Sequence, residues 1–321
     1  MNALITLRVP ATSANLGSGF DTIGMAVSLY NIFKVIELLP RGEYKCEALG
    51  EGARELSDPA KNLVVTAYEK TCERWGREAL GFHLWCHNII PLARGLGSSA
   101  GAVVAGVLIA KYLTGYDADE AELLRAMTVI EGHPDNVAPC YLGGMVVSSW
   151  DGEDLRYVNL PALPPEVLCV VAVPDEKVST HDAREALPKQ VPFSDAVFNI
   201  GRAALLTAAW ATGKWGYLKW GMDDRIHQQY RSKLFSGGEV IFSRVEALPE
   251  CLSVAISGSG PSVLALVDGA PARVAETMCK TFTEYGVRSQ FFVLDSSAQG
   301  ARVDVDMDLS TALQKYKGET K

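Results

Sequence analysis

The segment Pro91-Leu92-Ala93-Arg94-Gly95-Leu96-Gly97-Ser98-Ser99-Ala100 constrains this chain more than any other. Before it, Phe82, Leu84 and Cys86 alternate as a strand does; after it, Ala100 to Leu113 is apolar at helical spacing. The glycines let the backbone turn tightly and approach a ligand without a Cβ clash. The first N–H groups of the helix have no internal partner, and the helix dipole places partial positive charge there. A polyphosphate fits such an end. The paired serines add hydroxyls for phosphate oxygens or a metal ion.

Several known motifs compete for this turn. A Walker A loop requires a lysine before its Ser/Thr, and none is present. The dinucleotide fingerprint begins at Gly17-Ser18-Gly19, but Thr22 stands where its third glycine belongs. Gly97-Ser98-Ser99-Ala100-Gly101 does match the G-x-S-x-G nucleophile elbow, with Ser99 as nucleophile and His181 or His227 as base. No HGGG-type oxyanion segment precedes it, and the elbow leaves the glycine-rich stretches around Gly17 and Gly258 unexplained. On local grounds, phosphate site, nucleophile elbow and plain helix cap all stay open.

The rest of the chain narrows the class. With 321 residues, two domains are expected, and the proline-rich stretch 160–165 is the best linker, dividing 1–160 from 161–321. Strands and helices mix without strict βαβ alternation, which points to an α+β architecture. The net charge of −8 disfavours a general nucleic-acid or membrane-surface binder. The seven cysteines are scattered and odd in number, with no C-x-x-C pair, so reduced thiols of a cytoplasmic protein are expected rather than zinc or disulfides. The most apolar long stretch, Ala102 to Leu113, is too short to span a bilayer. Homodimers are common among soluble enzymes, and the sequence adds nothing to that prior.

Three separated segments resemble the motifs of the GHMP kinase superfamily: Pro10 to Asp21, Pro91 to Ala100, and Ser257-Gly258-Ser259-Gly260-Pro261-Ser262. The run Asn15 to Gly24 and the run Glu131-Gly132-His133-Pro134-Asp135-Asn136-Val137-Ala138-Pro139 resemble the homoserine kinases in particular. The resemblance implies an N-terminal ATP-binding domain related to ribosomal protein S5 domain 2, a ferredoxin-like C-terminal domain, and a site in the cleft between them. It implies Mg-ATP-dependent phosphorylation of the L-homoserine hydroxyl, giving O-phospho-L-homoserine for threonine biosynthesis.

Site roles follow position by position from that resemblance. Pro91, Arg94, Gly95, Leu96, Gly97, Ser98, Ser99, Ala100 and Gly101 would wrap the ATP phosphates, and Asn62 would lie near the adenine. Ser99 and Glu131 would hold Mg²⁺. Asn15, Asp21, His133, Arg184 and Arg231 would hold the amino acid, with Thr180 and Gly260 close by. Chemistry agrees: an α-carboxylate suits arginine forks, and an α-ammonium needs an acceptor such as Asp21. Phosphoryl transfer is mainly positioning and charge stabilisation, so a strong base is not required. Asn136 is expected to orient the hydroxyl, with Asp135 as the rival general base. A GHMP kinase for another acceptor, and a non-catalytic GHMP-fold sensor, are the alternative functions.

Overall fold

A computed structural model describes residues 3–319 and shows an α+β protein built on two sheets. The strands are numbered in chain order. The first sheet is led by β1 (Ile5–Ala14) and the 17-residue β2 (Ile23–Leu39), which pair antiparallel. β4 (Gly81–Asn88) lies on the far side of β2, and β3 (Tyr44–Gly50) runs parallel to β4 at the edge. A parallel pair needs a crossover, and the helix Leu63–Arg74 supplies it. β5 (Met145–Trp150) pairs with the N-terminal end of β2 and with β6 (Leu155–Leu160).

The second sheet has the order β10–β7–β9–β8, with β7 (Val167–Pro174), β8 (Cys251–Ile256), β9 (Val263–Asp268) and β10 (Ser289–Leu294) all antiparallel to their neighbours. The last strand, β11 (Arg302–Val305), returns to the first sheet and pairs with β1.

β7 shows why its sequence reads as an unbroken apolar run. Cys169, Val171 and Val173 face a layer shared with the first sheet, where Met25, Val27 and Ile90 meet them. Val170 and Ala172 face the opposite way, onto Ile241, Val245, Val274 and Phe282. Both faces are covered, so neither face needs polar residues. Each Val or Leu buried in this way contributes about 1.5–3 kcal/mol. The stretch expected as a linker is itself packed: Leu163 is buried in the shared layer, and Trp210 Nε1 donates to the Pro161 carbonyl at 2.8 Å.

The helix Ser98–Thr114 is apolar nearly all round because it too is enclosed, by β1 on one side and the helix Leu63–Arg74 on the other. The two helices touch at Gly106. A Cβ there would sit 2.5 Å from the Val64 carbonyl oxygen, 2.7 Å from Ala67 Cβ and 2.9 Å from the Tyr68 nitrogen. In an isolated helix, Gly→Ala stabilises by about 1 kcal/mol. Here overpacking, at about 1–3 kcal/mol, wins. Gly106→Ala is therefore expected to lower the urea midpoint; a raised midpoint would mean the helices are not held this close.

Candidate active site

Three glycine-bearing segments, far apart in the chain, interlock. In the loop before Ser98, Ala93, Gly95 and Gly97 all have positive φ (53°, 75° and 67°). The Thr12 N–H donates to the Leu96 carbonyl at 3.1 Å. Ser257 Oγ donates to the Gly95 carbonyl at 2.7 Å and lies 2.9 Å from Ser13 Oγ. The Gly258 N–H donates to the Ala14 carbonyl at 3.1 Å. A Cβ at Gly95 would fall 2.0 Å from the Ser257 carbonyl oxygen, so this contact admits only glycine. Arg94 turns inward: its Nε donates to the Pro174 carbonyl at 2.8 Å and its Nη1 to the Leu92 carbonyl at 3.0 Å.

Gly97 precedes the helix Ser98–Thr114 without any side-chain cap, and no acidic residue lies in the first turn. The free N–H groups and the helix dipole are thus left for a ligand. In that turn, Ser99 Oγ donates to Glu131 Oε1 at 2.8 Å. Burial pushes the Glu131 carboxyl above its ordinary pKa; the Ser99 hydroxyl and His133 oppose this without cancelling it. Ser99 has a carboxylate as its partner rather than a histidine, and His227 is fully buried with Nε2 2.7 Å from the Gly17 carbonyl. His181 is exposed and its ring nitrogens lie near Asp182 and Glu185, and neither histidine lines the cavity with Ser99, so the elbow lacks the histidine base expected for it.

The other end of the cavity is charged. Asp21 and Arg184 form a bidentate pair, both contacts 2.9 Å. Arg184 comes from the short helix Thr180–Glu185, capped by Ser179. Arg231 is 3% exposed and donates to the carbonyls of Ala183 and Gly258, each at 3.1 Å. Burial, then the Arg184 charge, pull its pKa down to about 10. Asn15 ties the segments together: its Nδ2 donates to the Gly258 carbonyl at 2.8 Å and its Oδ1 accepts from the Asp21 N–H at 3.0 Å.

This loop is held in an unusual backbone. Asn15, Leu16 and Asp21 have φ of 71°, 45° and 55°. Such left-handed residues cost about 1–3 kcal/mol each and persist where surroundings over-determine them. Leu16 is fully buried in the layer between the sheets. The Gly17 carbonyl is taken by His227, Ser18 Oγ donates to the Gly221 carbonyl at 2.6 Å, and Asn199 Nδ2 reaches the Ser18 carbonyl. Burial lowers the His227 pKa, with Asp224 and the Gly17 hydrogen bond opposing it.

Between the two ends lies the helix Pro134–Leu142, which the sequence pattern did not mark as a helix. His133 Nδ1 is in close contact with the buried Asp135 carboxylate. Burial disfavours protonated His133, but Asp135, Glu131 and Asp21 outweigh it and its pKa is raised. The donor atoms of Asp21, His133 and Asp135 lie within 4.8 Å of one another, yet Arg184 and the His133–Asp135 contact already occupy them. Asn136 Oδ1 accepts from Thr12 Oγ1 at 2.8 Å.

One cavity of about 390 Å³ joins these parts. Asn15, Asp21, Asn62, Pro91, Arg94, Gly95, Leu96, Gly97, Ser98, Ser99, Glu131, His133, Asn136, Thr180, Arg184 and Arg231 all line it. Ala100, Gly101 and Gly260 stand behind the lining: the first two are buried in the helix, and Gly260 N is a near neighbour of Gly95. Asn62 caps the helix Leu63–Arg74 by accepting from the Val64 N–H, and its Nδ2 donates to the Leu56 carbonyl. Phe33, Leu56, Leu63 and Cys86 beside it make an apolar end. Sequence reasoning missed this apolar set, because strand and helix residues facing a cavity carry the same pattern as core. Thr12, Phe20 and Gly258 lie within the motifs but were given no role by the sequence. Phe20 sits beneath Arg231 and Arg184, its ring centroid 4.9 and 5.8 Å from their guanidinium carbons.

Residues 62–144 match the family described as the GHMP kinases N terminal domain. The crystal structure of homoserine kinase from Cytophaga hutchinsonii aligns with a TM-score of 0.82 at 32% identity, covering 95% of this chain and 98% of that one. The fold and the glycine loop are thus those of a GHMP kinase. A homoserine kinase of Carboxydothermus hydrogenoformans is 42% identical over 319 residues, 98% of this chain and 99% of the relative. Another, from Moorella thermoacetica, is 40% identical over 297 residues, 92% and 99% of the two chains. This chain belongs to the homoserine kinase family of the GHMP kinases.

The raised Glu131 pKa fixes a sign. Between the ordinary carboxylate pKa and the raised folded value, the folded state binds more protons than the unfolded state, so stability falls as pH rises through that window. Glu131→Gln is expected to lose part of this fall. Urea midpoints measured on both proteins in pH steps from 4 to 8 test it, and parallel curves would reject a desolvated Glu131.

Proposed function

We propose that the protein transfers the γ-phosphoryl group of ATP to the side-chain hydroxyl of L-homoserine, giving O-phospho-L-homoserine, a step of threonine biosynthesis. The observation that carries this reading is a single cavity with an uncapped helix N-terminus toward one end and Asp21, Arg184 and Arg231 toward the other. The first suits a polyphosphate. The second suits a zwitterion: arginine forks for the carboxylate, Asp21 for the ammonium. Asn15, His133 and Thr180 complete the amino-acid end, and Asn62 shapes the apolar end for the adenine.

The Ser99 and Glu131 oxygens fit Mg²⁺. Both are hard donors, and Glu131 is a half-buried carboxylate whose hydrogen-bond partner among the described residues is the neutral Ser99 hydroxyl. Bound there, the ion would neutralise charge developing on the phosphates. The chain's own part is positioning: Arg184 and Arg231 fix the carboxylate, the glycine loop fixes the phosphates, and Asn136 orients the hydroxyl between them. Asp135 is engaged with His133, so its role is to hold that ring rather than to take the proton. The helices among the described residues include none long and apolar enough to cross a membrane, and the reading requires only small-molecule partners.

ADP release from Mg-ATP by the purified protein, across L-homoserine, L-serine, L-threonine, mevalonate and galactose, tests the reading. L-Homoserine is expected to be preferred. Turnover on mevalonate or galactose instead would overturn the assignment of Asp21, Arg184 and Arg231, and ATP binding without turnover would favour a sensor. Asn136→Ala should lower kcat on the order of a hundredfold, the scale for lost positioning; unchanged turnover would remove Asn136 from the mechanism. Asp135→Asn should keep both limbs of the pH–rate profile, any limb set by His133 moving to lower pH because Asp135 no longer raises its pKa, and loss of a limb would make Asp135 the base.

A further inference from the structure

We infer that Thr12 is a positioning residue of phosphoryl transfer: its hydroxyl locks the Asn136 amide with the N–H arm free, so Asn136 meets the acceptor oxygen as a donor. The inference rests on the reading of Asn136 proposed above and adds to it a residue and a direction of hydrogen bonding.

Thr12 is fully buried and does not line the cavity, so it reaches a substrate only through a neighbour. Its Oγ1 lies 2.8 Å from one arm of the Asn136 amide, while the other arm lies 3.5 Å from Asp135 Oδ1. A hydroxyl can donate or accept, but a carboxylate only accepts. The arm facing Asp135 is therefore the NH₂, the arm facing Thr12 is the carbonyl, and Thr12 must donate. The reverse amide would set two acceptors against each other. One N–H of Asn136 then points along Asp135 and the other is left for the cavity it lines. An amide held this way cannot accept the hydroxyl proton; it holds the oxygen, and as the new O–P bond forms and the bond to the ADP oxygen breaks, the proton passes to an oxygen of the transferred phosphoryl group.

The couple is also tied to the phosphate loop. A Cβ at Gly97 would lie 1.9 Å from Thr12 Oγ1 and 3.1 Å from Asn136 Oδ1, and the Thr12 N–H holds the Leu96 carbonyl. The residue that orients the acceptor is thereby registered against the loop proposed to hold the donor.

Steady-state kinetics of the full chain with Mg-ATP and L-homoserine tests this. Thr12→Val should lower kcat roughly tenfold, the rate equivalent of about one hydrogen bond, with the KM for ATP within about twofold of the parent. Thr12→Ser keeps the hydroxyl and should recover most of the rate. Because Thr12 acts through Asn136, Thr12→Val combined with Asn136→Ala should be no slower than Asn136→Ala alone. Should the valine variant fail to fold, Thr12→Ala takes its place in the same cycle. Parental kcat in the variant lacking the hydroxyl, or losses that multiply in the double variant, would overturn the inference while leaving the proposed activity intact. A parent protein that turns over ATP on no amino acid would overturn both.

Discussion

The site depends on a close backbone contact between the turn that carries Gly95 and the turn that carries Ser257 and Gly258. No side chain fits at Gly95, because the Ser257 carbonyl occupies the space its Cβ would fill, and the Ser257 hydroxyl ties the two turns by donating to the Gly95 carbonyl. Gly95 comes from the connection between β4 and a helix on the first sheet, and Ser257 from the β8–β9 turn of the second. Strand β1 lies between them, giving Thr12 to one and Ala14 to the other. Two sheets with separate hydrogen-bond ladders thus share one set of polar contacts at the place where a ligand would bind. Below it, the apolar layer of Met25, Val27, Val171, Leu264 and Trp210 supplies the non-directional part of the adhesion.

The same division of labour holds around the charged end. The strained loop of Asn15 to Asp21 belongs to the first sheet's connections, but its carbonyls and hydroxyl are satisfied by Gly221, Asn199 and His227 from the second half of the chain. Asp224, its side chain fully buried, holds that second set by accepting from the N–H groups of His227 and Gln228 and from Asn199. Burial pulls the His227 pKa down, its Nε2 faces the Gly17 carbonyl, and Nδ1 has no hydrogen-bond partner among the described residues. An unpaired buried acceptor costs about 1–3 kcal/mol. That cost is consistent with the structure favouring the loop's geometry over local hydrogen-bond satisfaction.

Much of this was legible in the sequence where local pattern and final environment coincide. The run Ala100 to Leu113 is buried on nearly every side, and β7 is covered on both faces, so each announces itself by composition. The glycine turn announces itself because only glycine tolerates its contacts. β3 and β11 did not: Tyr44–Gly50 and the four-residue Arg302–Val305 carry charges at alternate positions and are strands chiefly because β4 and β1 present open edges to them. Thr12 was visible as part of a motif, but its role was not, since the role exists only once Asn136, 124 residues away, is brought beside it. His227 was read as a candidate base because a sequence does not show burial, and burial is what removes it from proton chemistry here.

On the proposed reading, the ion pair of Asp21 with Arg184 accounts for selectivity. In this structure the two groups satisfy each other, with side chains 39% (Arg184) and 35% (Asp21) exposed. A zwitterion can enter by exchange: its carboxylate replaces Asp21 at the guanidinium, and its ammonium replaces Arg184 at the carboxylate. The count of paired charges is unchanged. A neutral polyol would either leave the pair closed or open it with nothing to stand in, stranding two charges beside the already desolvated Arg231. On that reading the pair would discriminate by what it demands in return for opening, and the hydroxyl presented to Asn136 would be one carried by a ligand with both charges at a single carbon.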